Sequence, residues 1–279
     1  AVDIDPETIE THIRLAKIYA QINDTHSAER AFHNILAIDP SHQESALKLA
    51  DLYVSSGEPE KAEKLLTDIA ATPGATPRKY TDLARFLETR GKFDAAEINY
   101  LHAVDAAADD LYPLLNLAGF YTRQGIKQKA LETMAEAQST GKDALVVLTE
   151  LGRIYRRFGM LQEAETTLSQ VLEKDETHAA ALYEKGRVLL AKKQIQQALD
   201  FFETAIYYDR THARAYYYRA VCMQQVGASS RSNQQIFRAA AGMLDDPVAF
   251  EKDQIKASLQ VAVTIDPTLV DAHIRLIDL

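Results

Sequence analysis

Apolar residues recur at helical spacing in short stretches along the chain, and polar residues fill the positions between them. One such stretch has apolar side chains three or four residues apart, which places them on one face of a helix: Ala46, Leu49, Ala50 and Tyr53. Gly57 interrupts the pattern, and the same spacing resumes at Ala62, Leu65, Leu66 and Ile69. The pattern predicts two short amphipathic helices joined by a turn.

This two-helix pattern repeats with a period of 34 residues. Small residues mark one register position: Ala16, Ala50, Ala84, Ala118, Gly152, Gly186 and Ala220. A second series lies twelve residues further on: Ala28, Ala62, Ala96, Ala130, Ala164 and Ala198. Bulky residues keep the same period. Because small side chains let two helices approach closely, the series predict a stack of tightly packed helical hairpins.

Turn residues recur with the same period. Five glycines share the position between the two helices, where we expect a turn with positive φ: Gly57, Gly91, Gly125, Gly159 and Gly227. The units end in Asp-Pro or a remnant of it, as at 39–40, 175–176 and 209–210. Ser41, Thr177 and Thr211 follow these junctions, and the sequence predicts that they cap the next helix.

The order of small, aromatic, Gly, Ala, aromatic and Pro positions, at this period, resembles the tetratricopeptide-repeat (TPR) family. The resemblance implies an all-α fold, a right-handed superhelical solenoid of TPR helix hairpins. It covers residues 9–244 as seven units, with 1–8 as the end of a preceding unit. The units begin near Ile9, Gln43, Pro77, Leu111, Leu145, Ala179 and Ala213.

The seventh unit departs from the pattern. Ser232 stands where Ala is expected, inside the polar run 229–233. Residues 245–267 are predicted to be an irregular helical segment, too short for a full unit, and 268–279 to start a further TPR helix. The chain is therefore expected to be a fragment of a longer array. The irregular region 229–267 is either tolerated sequence drift or a feature that alters the superhelix and marks a partner site.

Composition narrows the class of protein. Hydrophobic residues make up 47% and charged residues 25% of the chain, as in folded soluble proteins. The net charge of −9 argues against a nucleic-acid binder, which usually has surplus Lys and Arg. The single cysteine excludes an intramolecular disulfide and a cysteine-based zinc site. The sequence shows no signal or transmembrane segment, and it does not indicate a compartment.

Catalytic motifs are missing from the sequence. It contains no glycine-rich phosphate loop, no H-E-x-x-H and no G-x-S-x-G motif. Of the eight histidines, His42, His178 and His212 lie at unit junctions, and none of the eight forms an i, i+4 pair. We therefore expect no enzyme, no cofactor and no metal site.

The TPR resemblance also implies where a partner would bind. In such arrays the first helix of each hairpin lines the concave surface, through unit positions 2, 5, 9, 12 and 13. In units three to seven these 25 positions hold a single acid, Glu88, although the chain has 40 acidic against 31 basic residues. They hold eight arginines: Arg78, Arg85, Arg123, Arg153, Arg156, Arg157, Arg187 and Arg214. The same positions hold Tyr112, Tyr183 and Tyr217.

This set predicts a basic, tyrosine-bearing concave groove centred on Arg153, Arg156 and Arg157. Arginine suits two-pronged recognition of carboxylates, and tyrosine offers a stacking face with a polar tip. The predicted function is a scaffold or adaptor that binds an acidic peptide or protein segment. Alternatives are a binder of an anionic polysaccharide or, less in keeping with the net charge, of RNA. A further alternative is a regulatory TPR arm of a larger enzyme or secretion complex. Units one and two give no clear sign of a site.

Overall fold

A computed structural model describes residues 8–40, 42–72, 74–107, 110–231 and 247–279. These residues form fifteen α-helices and contain no strand. The helices are α1 (Ile9–Gln21), α2 (Thr25–Ile38), α3 (Gln43–Ser55), α4 (Pro59–Ala70), α5 (Pro77–Thr89), α6 (Phe93–Asp105), α7 (Tyr112–Arg123), α8 (Lys127–Ser139), α9 (Ala144–Arg157), α10 (Leu161–Lys174), α11 (Ala179–Ala191), α12 (Ile195–Tyr208), α13 (Ala213–Arg231), α14 (Pro247–Ile265) and α15 (Val270–Ile277).

The chain divides into two compact units, Ala1–Tyr121 and Thr122–Leu279. In the compact unit Ala1–Tyr121, α1 pairs with α2, α3 with α4, and α5 with α6, and each hairpin packs on the next. Tyrosine hydroxyls join successive hairpins at their edges. The Oη atom of Tyr53 on α3 donates to Glu29 on α2 at 2.9 Å, and that of Tyr121 on α7 donates to Glu97 on α6 at 2.8 Å.

The compact unit Thr122–Leu279 has the same arrangement, with α9 packed on α10 and α11 packed on α12. Its core is built from buried apolar residues on both helices of each hairpin, among them Leu168 on α10 and Phe202 on α12. Lys192, just after α11, forms an ion pair with Glu165 on α10 at 2.5 Å and so links two hairpins. Stacked hairpins of this kind bury the face that each would expose alone.

The 34-residue series of small residues lies where the two helices of a hairpin touch. The five alanines of the series are buried. At the two glycines there is no room for a methyl group. A Cβ added to Gly152 would lie 2.6 Å from Cγ of Leu168, and one added to Gly186 would lie 2.8 Å from the ring of Phe202. Close helix approach therefore explains the residue type at this position.

The turn between the two helices of a hairpin has positive φ at the predicted register position. Gly57, Gly91, Gly125 and Gly159 have φ between 72° and 79°. In the first and sixth hairpins, which lack glycine there, non-glycine residues adopt the same conformation. Asn23 has φ 58° and Lys193 has φ 62°. The register position thus fixes the turn geometry even at Lys193, whose residue type does not favour positive φ.

The prediction of a turn at Gly227 was wrong. This glycine lies inside α13, which continues to Arg231, and α13 packs along α14. The two helices share a buried cluster that includes Ala220, Leu259 and Ala262. The sequence placed the second helix of the seventh unit directly after Gly227. Most of that segment, with Ser232, lies outside the described residues.

The helix caps at the unit junctions also differ from prediction. At three junctions threonine bonds back to an aspartate instead of capping the next helix. The hydroxyls of Thr177, Thr211 and Thr268 donate to Asp175, Asp209 and Asp266 at 2.6–2.7 Å. Histidine caps the helix that follows the junction at α3, α11 and α13. Nδ1 of His42, His178 and His212 accepts the N–H of Ser45, Ala181 and Ala215 at 3.2–3.3 Å. Residue 41 lies outside the described part of the chain.

Candidate functional site

In the unit Ala1–Tyr121 the predicted site residues are Arg85 and Tyr112, and both are exposed. Arg85, on α5, donates from Nη2 to Oδ1 of Asn116 on α7 at 2.9 Å. Tyr112, at the start of α7, is 59% exposed. Asp82, one turn before Arg85, accepts a hydrogen bond from Gln43 on α3. Burial raises the pKa of Asp82 above its ordinary value. Polar side-chain contacts therefore link α5 to both α3 and α7.

In the unit Thr122–Leu279 the predicted arginines fall into different environments. Arg123, Arg157 and Arg214 have exposed side chains. Arg153 is half-buried, and its Nε donates to Glu150, three residues earlier on α9, at 2.7 Å. These two side chains are 38% and 31% exposed, so water screens their attraction. Arg153 is therefore accessible to solvent, and its ion pair with Glu150 is weak.

Arg156 does not belong to an open basic surface. Its Nε donates to Oε2 of Glu184 on α11 at 2.9 Å. The side chains of Arg156 and Glu184 are only 11% and 9% exposed. Glu184 therefore neutralises Arg156 in a buried pair that joins α9 to α11. Placing Arg156 at the centre of a free groove was wrong, because the pair already satisfies its charge.

Tyr183 and Tyr217 are not open stacking faces either. They are 5% and 8% exposed, and both belong to the packed core. The Oη atom of Tyr217 accepts from Nε of Arg275 on α15 at 3.2 Å, and Arg275 also donates to Gln224. The prediction that these two tyrosines present free rings to a ligand was wrong. Their burial follows from the side-chain packing between neighbouring first helices.

Arg187 holds a different position, stacked on aromatic rings at the surface of α11. Its guanidinium carbon lies 4.0 Å from the ring centroid of Tyr218 on α13. Nη1 donates to Oη of Tyr183 at 2.8 Å. Burial raises the pKa of Tyr183 above its ordinary value, so this hydroxyl stays protonated and neutral. Arg187 is thus held in place by two neutral groups and retains its charge.

Sequence reasoning missed the residues one place after position 5 in units three to six. Asp82, Asn116, Glu150 and Glu184 occupy this position six on α5, α7, α9 and α11. Each contacts a residue on its own or a neighbouring first helix. The signal was present as a 34-residue spacing of polar residues. Position six was not predicted as part of the site, because the TPR resemblance implied that only positions 2, 5, 9, 12 and 13 line the concave surface.

The described part of the chain holds no candidate metal site, reactive thiol or membrane-spanning helix. Among these residues no group of three or more His, Cys, Asp or Glu side chains is placed to hold a metal ion. The thiol of Cys222 is buried, and burial raises its pKa to about 12, so it is not a ready nucleophile. Within the same residues, no helix is both long and apolar enough to cross a bilayer.

Comparison with known proteins agrees with the repeat geometry. The sequence matches the family model described as Tetratricopeptide repeat at residues 23–80 and 155–222. This match confirms the tetratricopeptide-repeat resemblance seen in the sequence. The helix hairpins confirm the all-α repeat fold. No curated protein matches the sequence.

Three solved structures are similar in fold to this chain. A TPR protein of Thermus thermophilus aligns with TM-score 0.54 at 17% identity, over 73% of this chain and 98% of its own. The C-terminal part of a TPR protein from Cytophaga hutchinsonii aligns with TM-score 0.51 at 18% identity, over 93% and 97%. Human IFIT1, solved as a dimer with m7Gppp-AAAA, aligns with TM-score 0.51 at 14% identity, over 96% and 63%. These likenesses show the fold alone.

The chain spans only part of some neighbours. It covers 63% of the IFIT1 chain and 44% of a chain in the APC/C hetero-tetramer Cut9–Hcn1, whose TM-score is 0.47. The TPR fold serves in general as a protein-interaction scaffold.

Proposed function

We propose that the chain is a binding module without catalytic activity of its own. In this proposal the unit Thr122–Leu279 binds an extended, acidic segment of a protein partner along its first helices. The contact residues are Arg153 and Arg157 on α9, Arg187 on α11 and Arg214 on α13. Arg156 has a structural role instead. Arg85, Tyr112 and Arg123 stay predicted contact residues for the same kind of partner.

The environment of Arg187 carries the proposal. A guanidinium has five N–H donors in a planar fork, and the contact with Tyr183 uses one of them. The contact with the Tyr218 ring orders the guanidinium group, and the Arg187 side chain stays partly exposed. A carboxylate can accept two parallel hydrogen bonds from such a group. Because the side chain is already ordered, binding it costs less conformational entropy.

The neighbouring arginines extend this surface. Arg153 occupies on α9 the register position that Arg187 occupies on α11, and the two helices contact each other. The pair of Arg153 with Glu150 is half-exposed, so a partner carboxylate can replace Glu150 at small cost. Arg157 and Arg214 add exposed positive charge. Successive carboxylates of an extended segment would therefore meet successive arginines.

An RNA partner is less well supported. The structure of IFIT1 contains a capped RNA, but that likeness concerns the fold. Sequence-tolerant RNA binding relies on exposed aromatic rings on which bases stack. Tyr183 and Tyr217, the predicted rings of this unit, are buried. An acidic peptide, which needs only the guanidinium groups, fits these residues better. A regulatory role within a larger enzyme stays a prediction of the sequence.

A peptide-display selection tests the proposal. The wild-type chain is compared with an Arg153→Gln, Arg157→Gln, Arg187→Gln variant and with a control in which Lys127, Lys174 and Arg210 become Gln. The control residues are exposed and lie outside the first-helix face. We expect the wild type and the control to enrich Asp/Glu-rich sequences and the triple variant to lose them. Enrichment of basic or uncharged sequences by the wild type would refute the proposal.

A charge-conserving substitution sharpens this test. Arg187→Lys keeps the positive charge but removes the planar fork, so it separates bidentate recognition from simple attraction. We expect it to weaken binding of a selected acidic peptide about threefold to tenfold, measured by fluorescence anisotropy. Unchanged affinity would show that Arg187 acts only as a point charge.

A further inference from the structure

A pocket of about 100 Å³ lies between α1 and α3 in the unit Ala1–Tyr121. Its buried lining consists of Ala16, Phe32 and Ser45, which are 0%, 8% and 2% exposed. Ile13 and Ala20 complete the apolar sides. The pocket exists because small residues on both first helices leave space above the Phe32 ring. It opens at the register positions that line the inner face of TPR arrays, in a part of the chain where the residue pattern predicted no site.

The volume selects the size of the group that fits. A cavity of about 150 Å³ with an apolar lining accommodates benzene. A pocket of about 100 Å³ is too small for an indole ring and matches an aliphatic side chain such as Leu, Ile or Met. Its walls are mostly apolar, and the backbone N–H of Ser45 is already bonded to His42. The pocket therefore fits an apolar group better than a polar one.

The rim adds charge to this apolar pocket. Lys17 on α1 and Lys48 on α3 line it with exposed side chains. Among the contacts of the described residues, neither ammonium group is in an ion pair with a carboxylate. Glu44, one turn before Lys48, contributes one negative charge, so the rim has a net charge of +1. Lys17 occupies on α1 the same repeat position that Arg153 and Arg187 occupy in the compact unit Thr122–Leu279.

From these observations we propose a second docking site in the unit Ala1–Tyr121. It binds an extended peptide segment in which an aliphatic side chain is flanked by Asp or Glu. The aliphatic side chain enters the pocket above Phe32, and the flanking carboxylates meet Lys17 and Lys48. This site is separate from the arginine surface of the other unit, and its existence does not depend on the function proposed above.

Methyl NMR titration of the whole chain provides the test. The probes are four blocked peptides with glycine flanks and the centres Glu-Leu-Glu, Glu-Ala-Glu, Glu-Trp-Glu and Lys-Leu-Lys. The observed signals are the methyl groups of Ile13, Ala16 and Ala20. We expect Glu-Leu-Glu to shift these signals and Glu-Ala-Glu to bind about tenfold more weakly, because alanine buries less apolar surface. Glu-Trp-Glu and Lys-Leu-Lys should also bind more weakly.

Two variants and a matched control assign the effect to the pocket. Ala20 is exposed at the rim, so Ala20→Leu fills the opening without disturbing the core and should abolish the shifts at Ile13 and Ala16. Lys17→Glu should weaken Glu-Leu-Glu about threefold or more. Lys64→Glu, the same charge change at an exposed position on α4, should leave the affinity unchanged.

Specific results would overturn the inference. These are equal affinity for Glu-Leu-Glu and Glu-Ala-Glu, equal affinity for the Glu and Lys peptides, or shifts that persist in Ala20→Leu. No shift with any peptide would also overturn it. None of these outcomes bears on the arginine surface, because Arg153, Arg157 and Arg187 remain intact in every variant.

Discussion

At the scale of single residues, the partner of each arginine decides its role. Arginines at periodic positions are visible in the sequence, and their excess over acids there predicted a basic surface. Burial and pairing are not visible, because they depend on which neighbouring helix faces each side chain. Glu184 on α11 removes Arg156 from the candidate surface, whereas the neutral Tyr183 and Tyr218 leave Arg187 charged.

The buried pair of Arg156 and Glu184 gives the first prediction. Glu184→Gln leaves a buried guanidinium without its counter-charge and should lower the free energy of unfolding by about 2 kcal/mol. Glu150→Gln, at the exposed pair with Arg153, should change it by less than about 1 kcal/mol. Urea denaturation followed by circular dichroism measures both values. Equal effects of the two substitutions would show that Arg156 is solvated like Arg153.

Lys193 gives a second prediction at this scale. It has φ 62°, a left-handed conformation that is costly for residues other than glycine. Four other hairpins have glycine at the same register position. Lys193→Gly should therefore raise the free energy of unfolding by about 0.5–1 kcal/mol. Lys174→Gly, inside the last turn of α10, should lower it in the same denaturation experiment.

At the scale of helices and turns, period and residue type predicted most elements, and the exceptions have local causes. Gly227 matches the turn position by register, yet α13 continues through it and packs along α14. Packing of α13 against the following helix, α14, overrides the local glycine signal there. At the junctions, Thr177 and Thr211 bond to aspartates, so the following histidine becomes the cap. The sequence predicted the threonines as the caps.

The histidine cap of α13 predicts a pH dependence. His212 caps the helix through Nδ1, which accepts an N–H only while it is unprotonated. Burial lowers the pKa of His212, and the opposing effect of Asp209 does not reverse this shift. A lowered pKa in the folded state contributes stability that is present above about pH 6.5 and is lost as the pH falls through the folded-state pKa.

Substitution at His212 isolates this effect. Asparagine is also a good helix cap and does not titrate in this range. Relative to wild type, His212→Asn should therefore become more stable as the pH is lowered from 7.5 to 5. Thermal melts of both proteins across this range measure the difference. A stability difference independent of pH would mean that His212 does not cap α13 in its neutral form.

At the scale of the whole molecule, the repeat fold is readable from the sequence because every hairpin obeys the same packing rules. The binding chemistry is less readable, because it depends on how neighbouring first helices combine. The sequence placed Arg156, Tyr183 and Tyr217 among the contact residues, and the structure shows the first in a buried ion pair and the other two in the packed core. The pocket above Phe32 was missed, because it arises from small residues on two different helices and not from any motif.

In the proposed function, Arg153, Arg157 and Arg187 bind carboxylates of an acidic partner segment. The most direct measurement is the affinity of a display-selected Asp/Glu-rich peptide as a function of salt, by fluorescence anisotropy. We expect wild-type binding to weaken steadily as salt rises. We expect the Arg153→Gln, Arg157→Gln, Arg187→Gln variant, with unchanged helicity, to lose at least about tenfold in affinity at low salt. Equal affinities and equal salt dependence for the two proteins would show that these arginines do not bind the peptide.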